Sequence, residues 1–199
     1  MLSKEHIAKA IRILSVPPVM VSALILILAI NKDGIFRNTF EIVITIVLLG
    51  FVPVSAYGLQ KILPGFKEKG REGQRKLAFI TSLIGYSGAF LWAFIADVEN
   101  ALLLICSTYF FSVVLLTICN KGFHYRASGH ACSFTGPLIL LIYFFSWKVM
   151  IPCFVIAALI IWSSIYLKRH TAKELLGGIV VCLLSFALSL LITTLVFWL

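Results

Sequence analysis

Long apolar stretches separated by short polar segments run through almost the whole chain. They predict helical spans near residues 13–30, 40–60, 78–96, 101–119, 129–147, 150–167 and 174–198. Each stretch is close to the roughly 20 apolar residues that a helix needs to cross a bilayer. The fourth is the weakest, because the polar turn before it is short. The pattern predicts an all-α, polytopic transmembrane helix bundle of six or seven spans, with about six core helices, as a single domain over residues 1–199.

Composition supports a membrane protein and excludes several kinds of site. Hydrophobic residues make up 61% and charged residues 13% of the chain, and the mean hydropathy of +1.05 is far from that of a soluble domain. The five cysteines are scattered singly without a C-x-x-C pair, which predicts neither a zinc site nor a disulfide framework. No glycine-rich phosphate loop, dinucleotide fingerprint or aromatic-basic pattern is present, so we expect no cofactor, no metal and no nucleic acid partner.

The distribution of cations predicts the orientation. With seven spans, the N-terminus and the loops near 61–77, 120–128 and 168–173 share one side, which carries fourteen of the 17 lysines and arginines. The remaining three cations, on the other side, are Lys32, Arg37 and Lys148. Because cytoplasmic loops carry the excess of cations, the cation-rich side is predicted to face the cytoplasm. The net charge of +9 also favours contact with anionic lipid headgroups.

A histidine and a carboxylate stand at the start of the last span. If the helix begins by His170, then His170 and Glu174 lie on one face and can touch. A carboxylate that holds one imidazole nitrogen fixes the tautomer and raises the basicity of the other nitrogen, as a nucleophilic histidine requires. Thr171 and Glu174 equally fit a capping box, in which the carboxylate satisfies the helix N-terminus instead. The residues leave both interpretations open.

A second histidine opens the fifth predicted span. Ser128 is a good N-cap, and the following Gly129 leaves backbone N–H groups free for an anion ahead of His130. Arg126, with Lys121, would add charge-assisted donors. The alternative is an ordinary cap with an interfacial histidine and cations that extend to the headgroups.

The two segments are more informative together than apart. They lie forty residues apart, between His130 and His170, and two spans return them to the same face. The cationic loop 67–76 belongs to that face as well. Two histidines surrounded by cations suit in-line displacement at phosphorus, in which one histidine attacks, the other protonates the leaving oxygen and the cations stabilise the equatorial oxygens.

These motifs resemble those of the type 2 phosphatidic acid phosphatase superfamily, membrane lipid phosphatases with a haloperoxidase-like core. The family's second motif is Pro-Ser-Gly-His, and its third is Ser-Arg, five residues, His, three residues, Asp, often with Leu-x-Gly after it. The chain has Ser128-Gly129-His130 and later Ser163-Ser-Ile-Tyr-Leu-Lys-Arg-His170-Thr-Ala-Lys-Glu174-Leu-Leu-Gly-Gly178. The resemblance covers roughly residues 61–180.

The resemblance implies a role for each matching residue. His170 matches the nucleophile that forms a phosphohistidine, and Glu174 matches the aspartate that orients it. His130 matches the general acid for the leaving lipid alcohol or diphosphate. Ser128 and the backbone of Gly129 match donors to phosphate oxygens. The family's phosphatases require no metal ion.

The chain also departs from the family pattern. Ala127 stands where proline is usual, and Glu174 is one methylene longer than aspartate. Ser164 occupies the position of the third motif's arginine, so a transition-state cation is missing there, and Arg126 is the main candidate to replace it. The first motif, Lys with six residues and then Arg-Pro, has no clean match. Three cations of the 67–76 loop are the nearest stand-ins: Lys69, Arg71 and Arg75.

The resemblance predicts metal-independent hydrolysis of a phosphate ester or anhydride on a lipid, with an isoprenoid diphosphate and a phosphatidate-like lipid fitting equally well. The alternative is a non-catalytic lipid-phosphate binding protein or carrier on the same fold, because two of the family's cations are missing. A proton-coupled transporter is disfavoured, since the one acid near the core of an apolar span is Glu41, at its edge.

Overall fold

The computed structural model describes residues 3–197, which are helical almost throughout and contain no strand. The all-α prediction is therefore confirmed. The helices are α1 (Lys4–Leu14), α2 (Pro17–Asn31), α3 (Thr39–Ile62), α4 (Gly70–Ile95), α5 (Asn100–Gly122), α6 (Gly129–Phe145), α7 (Met150–Tyr166) and α8 (Ala172–Phe197).

Several helices are long and apolar enough to cross a membrane, as a multi-pass membrane protein requires. Among the described residues there are five such stretches, namely α3, α4, α5, α8 and the stretch 129–166, or six with the pair α1 and α2, which is bent by 61°. The stretch 129–166 consists of α6 and α7 and reverses at Ser146, whose φ is +59°. Seven spans were predicted because the prediction counts α6 and α7 as two spans, whereas the count of six takes the stretch 129–166 as one. Residue 198 of the last predicted span lies outside the described residues.

The connections gather at two opposite ends of the bundle. At one end the Lys32 ammonium lies 5.1 Å from the centre of the Phe145 ring, and the Arg37 guanidinium donates to the Ala96 carbonyl at 3.0 Å. The cation-rich loops and α1 lie at the other end, where the histidines are also found. The loops that the sequence pattern places on one side thus meet in space.

Helix α5 is the centre of the bundle. In its apolar stretch 61% of the residues are buried, against 22–33% in the other four stretches, so α5 is surrounded by protein while the others also face lipid. It packs against α4 and α8. Phe90 of α4 stacks on Phe110 of α5, with ring centres 4.7 Å apart. Large side chains on the outer face of α4, such as Ile95, are exposed, as a lipid-facing surface requires.

A smaller apolar cluster lies directly beneath the histidines. It joins α6, α7 and the start of α8 through buried side chains of Ala131, Phe134, Leu138, Cys153, Ile160 and Leu175. Because the three helices share this cluster, their cation-rich ends are held at a fixed separation.

The N-terminal part of the chain forms two helices where the sequence predicted a single span. The first span was predicted from residue 13, but the chain forms a separate amphipathic helix, α1, and starts again at Pro17. Proline lacks an N–H and is well suited to the first position of a helix, so the Pro17-Pro18 pair ends one helix and begins the next. Ala8 is buried and α1 packs against α7. The chain before Pro17 is therefore part of the folded end of the bundle.

A buried ion pair fixes the end opposite the histidines. Glu41 is 3% exposed, and its carboxylate accepts from the Arg37 backbone N–H at 2.8 Å and from Arg37 Nε at 2.7 Å. Arg37 in turn reaches the Ala96 carbonyl. Glu41 therefore orders its loop and links it to the next connection, a structural role at the edge of the span.

We expect Glu41→Ala to lower the free energy of unfolding by about 2 kcal/mol, because charge-assisted hydrogen bonds at a buried site are lost and Arg37 is left without its partner. Thermal unfolding of the purified protein in detergent measures the effect. Asp33→Ala is the matched control, since Asp33 is an exposed acid on the same connection. Equal destabilisation by the two substitutions would contradict the assignment.

Candidate functional site

The first turn of α6 is capped as the sequence predicts. Ser128 is the N-cap residue, and its hydroxyl oxygen accepts from the Ala131 N–H at 3.2 Å. The Ser128 N–H is not free for an anion, because it donates to the Glu174 carbonyl at 2.9 Å. Ser128 is buried and Gly129 is exposed. The start of α6 is thereby attached to the first turn of α8.

The end of α7 turns the chain back towards α6. The Arg169 N–H donates to the Ser164 carbonyl at 3.0 Å and the Lys168 N–H to the Ile165 carbonyl at 2.9 Å, which is a Schellman motif. Lys168 takes the left-handed conformation, with φ +51°, at the position where glycine is usual. The turn brings Arg169 and His170 back to the end of the bundle that carries His130.

Glu174 performs both of the functions that the sequence left open. Helix α8 begins at Ala172 rather than at His170. The Thr171 N–H donates to Glu174 Oε2 at 3.1 Å and the Glu174 N–H donates to the Thr171 hydroxyl at 3.3 Å, so the capping box is formed. The same Oε2 lies 3.3 Å from His170 Nδ1. With Nδ1–H directed at the carboxylate, Nε2 of His170 keeps its lone pair.

The two imidazoles face each other across a short gap. The ring centres of His130 and His170 are 6.2 Å apart and the planes differ by 12°. His130 Nε2 lies 3.3 Å from the Ser15 hydroxyl, which donates its own hydrogen to the Arg12 carbonyl at 3.1 Å. His130 therefore donates from Nε2 to Ser15. The edge of Phe134 also packs against the His130 ring.

Arginines surround the histidine pair. Arg126 Nε lies 3.0 Å from Glu174 Oε1. The charges of Arg12 and Arg75 act on His170, Arg71 is close to both of those arginines, and Arg169 is close to Arg12. We call this set the arginine cluster: Arg12, Arg71, Arg75, Arg126 and Arg169. Among the described residues Arg126 is the member of this cluster that pairs with a carboxylate, and the excess of positive charge makes the site suited to an anion.

The remaining predicted phosphate ligand lies outside these contacts. Lys69 is exposed immediately before α4, and within residues 3–197 its side chain makes no hydrogen bond or ion pair. Lys121, considered beside Arg126, lies over the Phe79 ring at 5.5 Å. Of the cations considered in the 67–76 loop, the structure therefore brings Arg75 close to His170 and Arg71 close to Arg12 and Arg75, but leaves Lys69 outside the site.

Burial sets the protonation of His170. Loss of solvent lowers the pKa of His170 below the ordinary histidine value, and the charges of Arg12 and Arg75 lower it further, against the opposing effect of Glu174. His170 is consequently neutral at pH 7, which is the form that a nucleophile needs.

Two glycines allow α8 to approach the 125–128 segment. A side chain at Gly178 would collide with the Ser128 carbonyl and Ala131, and one at Gly177 would collide with the Tyr125 ring. The Tyr125 hydroxyl donates to the Lys173 carbonyl at 2.8 Å. The Gly-Gly pair after Glu174 therefore has a steric reason, because it sets the separation of the two histidine-bearing segments.

Three residues of the site were not predicted from the sequence: Arg12, Ser15 and Tyr125. A signal for the first two was present, because Ala8, Arg12 and Ser15 fall on one face of α1 at helical spacing, and Ala8 and Ser15 are buried. A cation on the buried face of an amphipathic helix is uncommon unless it has a partner. Tyr125 carried no local signal.

Comparisons with known proteins leave the motifs as the sole basis of the resemblance. No protein family, curated protein or solved structure matches this chain. Within the described residues no group of three histidine, cysteine or acidic side chains is placed to hold a metal ion.

We expect Gly178→Ala to destabilise the protein by about 1–3 kcal/mol, because the added methyl group forces α6 and α8 apart. Thermal unfolding in detergent measures this. Gly58→Ala is a suitable control, because a methyl group there meets no atom within 4 Å. Unchanged stability in Gly178→Ala would show that the two helices do not depend on this close contact.

We also expect His170 to titrate below the ordinary histidine pKa of about 6.5. Ring ¹⁵N NMR of histidine-labelled protein measures this, and the resonance is assigned by its loss in His170→Gln. Because the pKa is lowered in the folded state, the unfolded chain binds more protons below that pH, so His170 makes the fold less stable as the pH falls through about 6.5. A resonance of His170 titrating at or above that value would contradict the burial argument.

Proposed function

We propose that this protein is a membrane phosphatase that hydrolyses a lipid phosphate or isoprenoid diphosphate through a phosphohistidine intermediate at His170. One observation carries the proposal, namely the pair of nearly parallel imidazoles 6.2 Å apart inside the arginine cluster. A hydrogen-bond reach of about 3 Å from each ring allows one phosphoryl group to contact both.

The reaction has two steps. The bound phosphate enters as its monoanion and gives its proton to Nδ1 of His130, whose Nε2–H is directed at Ser15. Nε2 of neutral His170 attacks phosphorus, the bond from phosphorus to the leaving oxygen breaks, and His130 gives that oxygen the Nδ1 proton. A water then attacks the phosphohistidine, His130 takes a proton from the water, and the phosphorus–nitrogen bond breaks to release inorganic phosphate, which takes that proton with it. Both histidines return to their starting protonation states, so neither a metal nor a cofactor is needed.

The surrounding charges support this chemistry. Glu174 contacts His170 Nδ1 and stabilises the positive charge that the ring develops when Nε2 bonds to phosphorus. The arginine cluster supplies donors for the equatorial oxygens. The site lies at the end of apolar helices, so the headgroup reaches the cations while the lipid tail stays in the bilayer. From the cation bias we propose that this end faces the cytoplasm.

One observation favours a second candidate, a non-catalytic lipid-phosphate binding protein or carrier. Ser164 replaces the arginine of the third motif, and Arg126, the predicted replacement, is engaged by Glu174. Such a protein would bind lipid phosphates without releasing phosphate.

Phosphate release from a panel of lipid phosphates and prenyl diphosphates, measured in detergent with a chelator present, tests the proposal. We expect chelator-resistant release by the wild type and none by His170→Ala. His124→Asn is the control, because His124 is an exposed histidine with φ +53°, a conformation that asparagine tolerates.

His130→Ala is expected to slow hydrolysis of alkyl phosphates by about 10²–10⁴-fold, the usual contribution of a general acid. The loss should be much smaller with p-nitrophenyl phosphate, whose leaving group needs no proton. Retained turnover in His170→Ala would disprove the histidine mechanism. Binding of lipid phosphates by a folded wild type without release of phosphate would favour the carrier.

A further inference from the structure

Helix α1 brings two polar side chains into the site. Ser15 is 1% exposed and contacts His130, and Arg12 lies one turn earlier on the same face. Helix α1 packs against α7, and Ile11 contacts the apolar cluster beneath the histidines. The N-terminal helix therefore packs directly against the site.

Within residues 3–197 the Arg12 guanidinium forms no ion pair, and its buried Nη1 atom has no hydrogen-bond partner. The charges that act on it are those of two other arginines, Arg71 and Arg169. The carboxylate of the site, Glu174, is already engaged by Thr171, His170 and Arg126. A buried guanidinium donor without a partner is costly, so this position is suited to an anion.

Helix α1 packs against α7, and α7 carries Ser164 at the position where the third motif of the resembling family has arginine. Ser164 of α7 is fully buried, and its hydroxyl also has no partner among the described residues. Its carbonyl accepts from the Arg169 N–H in the turn before His170. The helix that packs against α7, α1, carries a cation of its own, Arg12.

We propose that α1 completes the phosphate site: Arg12 binds the phosphoryl oxygens in place of the arginine that Ser164 replaces, and Ser15 positions His130. This rests on the proposed function. The ligand is a tetrahedral phosphoryl group that becomes trigonal bipyramidal during transfer, and orthovanadate reproduces the charge and shape of that state. Arg12 and Ser15 thus act on the same group in two ways, Arg12 on its oxygens and Ser15 through His130.

Orthovanadate binding to the full-length protein in detergent tests Arg12 without requiring turnover. We expect Arg12→Ala to weaken binding at least tenfold and to lower phosphate release by about 10²–10³-fold, the usual effect of losing one oxyanion donor. Arg12→Lys keeps the charge and should recover part of both. Lys9→Ala is the matched control. It removes the same charge from α1, but Lys9 is exposed and pairs with Glu5.

Two further readouts separate these roles from a purely structural one. Arg12→Ala should raise the pKa of His170, moving the acid limb of the pH profile to higher pH, because a neighbouring cation is removed. Ser15→Ala should slow alkyl phosphates while sparing p-nitrophenyl phosphate, because it disturbs the proton donor His130. A Ser15→Ala loss that is equal for both substrates would overturn the positioning role.

The outcomes distinguish the two proposals. Phosphate release by the wild type with unchanged vanadate binding in Arg12→Ala would overturn the role of Arg12 and leave the phosphatase standing. Vanadate binding that depends on Arg12, without phosphate release, would support Arg12 and count against hydrolysis. A folded wild type that binds no vanadate would overturn both.

Discussion

The Glu174 carboxylate is the interaction on which the geometry of the site depends. One oxygen caps α8 through Thr171 and contacts His170, and the other pairs with Arg126 at the entrance to α6. A single side chain therefore joins the first turn of α8, the candidate nucleophile and the segment before His130. The Glu174 backbone carbonyl adds a fourth link by accepting from the Ser128 N–H. Replacing the Glu174 side chain would release the first three links at once and leave the backbone link in place.

The same arrangement leaves the site with too few anions. Glu174 can balance one cation at most, while the arginine cluster holds five and the buried donor of Arg12 has no partner in the described chain. Repulsion among cations destabilises the empty site and is relieved when a multiply charged anion binds. Under the proposed function, a phosphate group would supply charge that the fold lacks, and its binding would have a strong electrostatic component that falls with salt.

Much of this was predictable from local sequence. The spans follow from hydropathy, and the caps at Ser128 and at Thr171 with Glu174 follow from side chains that bond to nearby backbone groups. Both involve residues within a few positions of each other. The meeting of the two histidine segments followed from counting spans between them, a topological argument that the ring separation of 6.2 Å agrees with.

The contributions of α1 were not predictable in this way. Arg12 reaches the site for two reasons. Pro17 starts a new helix after α1, and α1 packs against α7, which is more than a hundred residues away in sequence. Hydropathy merged the end of α1 with the following span, since Ile13 and Leu14 are apolar. Tyr125 acts through a contact with the Lys173 carbonyl, which depends on tertiary packing alone.

Glu174, at the position where the family that these motifs resemble has aspartate, illustrates how a local rule and a tertiary requirement can be met together. In a capping box the residue three positions after the N-cap is preferably Glu or Gln, because its length lets it return to the N-cap backbone. That length also carries Oε2 to His170 Nδ1, one residue before the cap, while Oε1 remains free for Arg126. A shorter aspartate would have to give up part of this reach. Glutamate therefore lets one carboxylate cap the helix, contact the histidine and hold Arg126, while the buried Nη1 of Arg12 stays without a partner among the described residues.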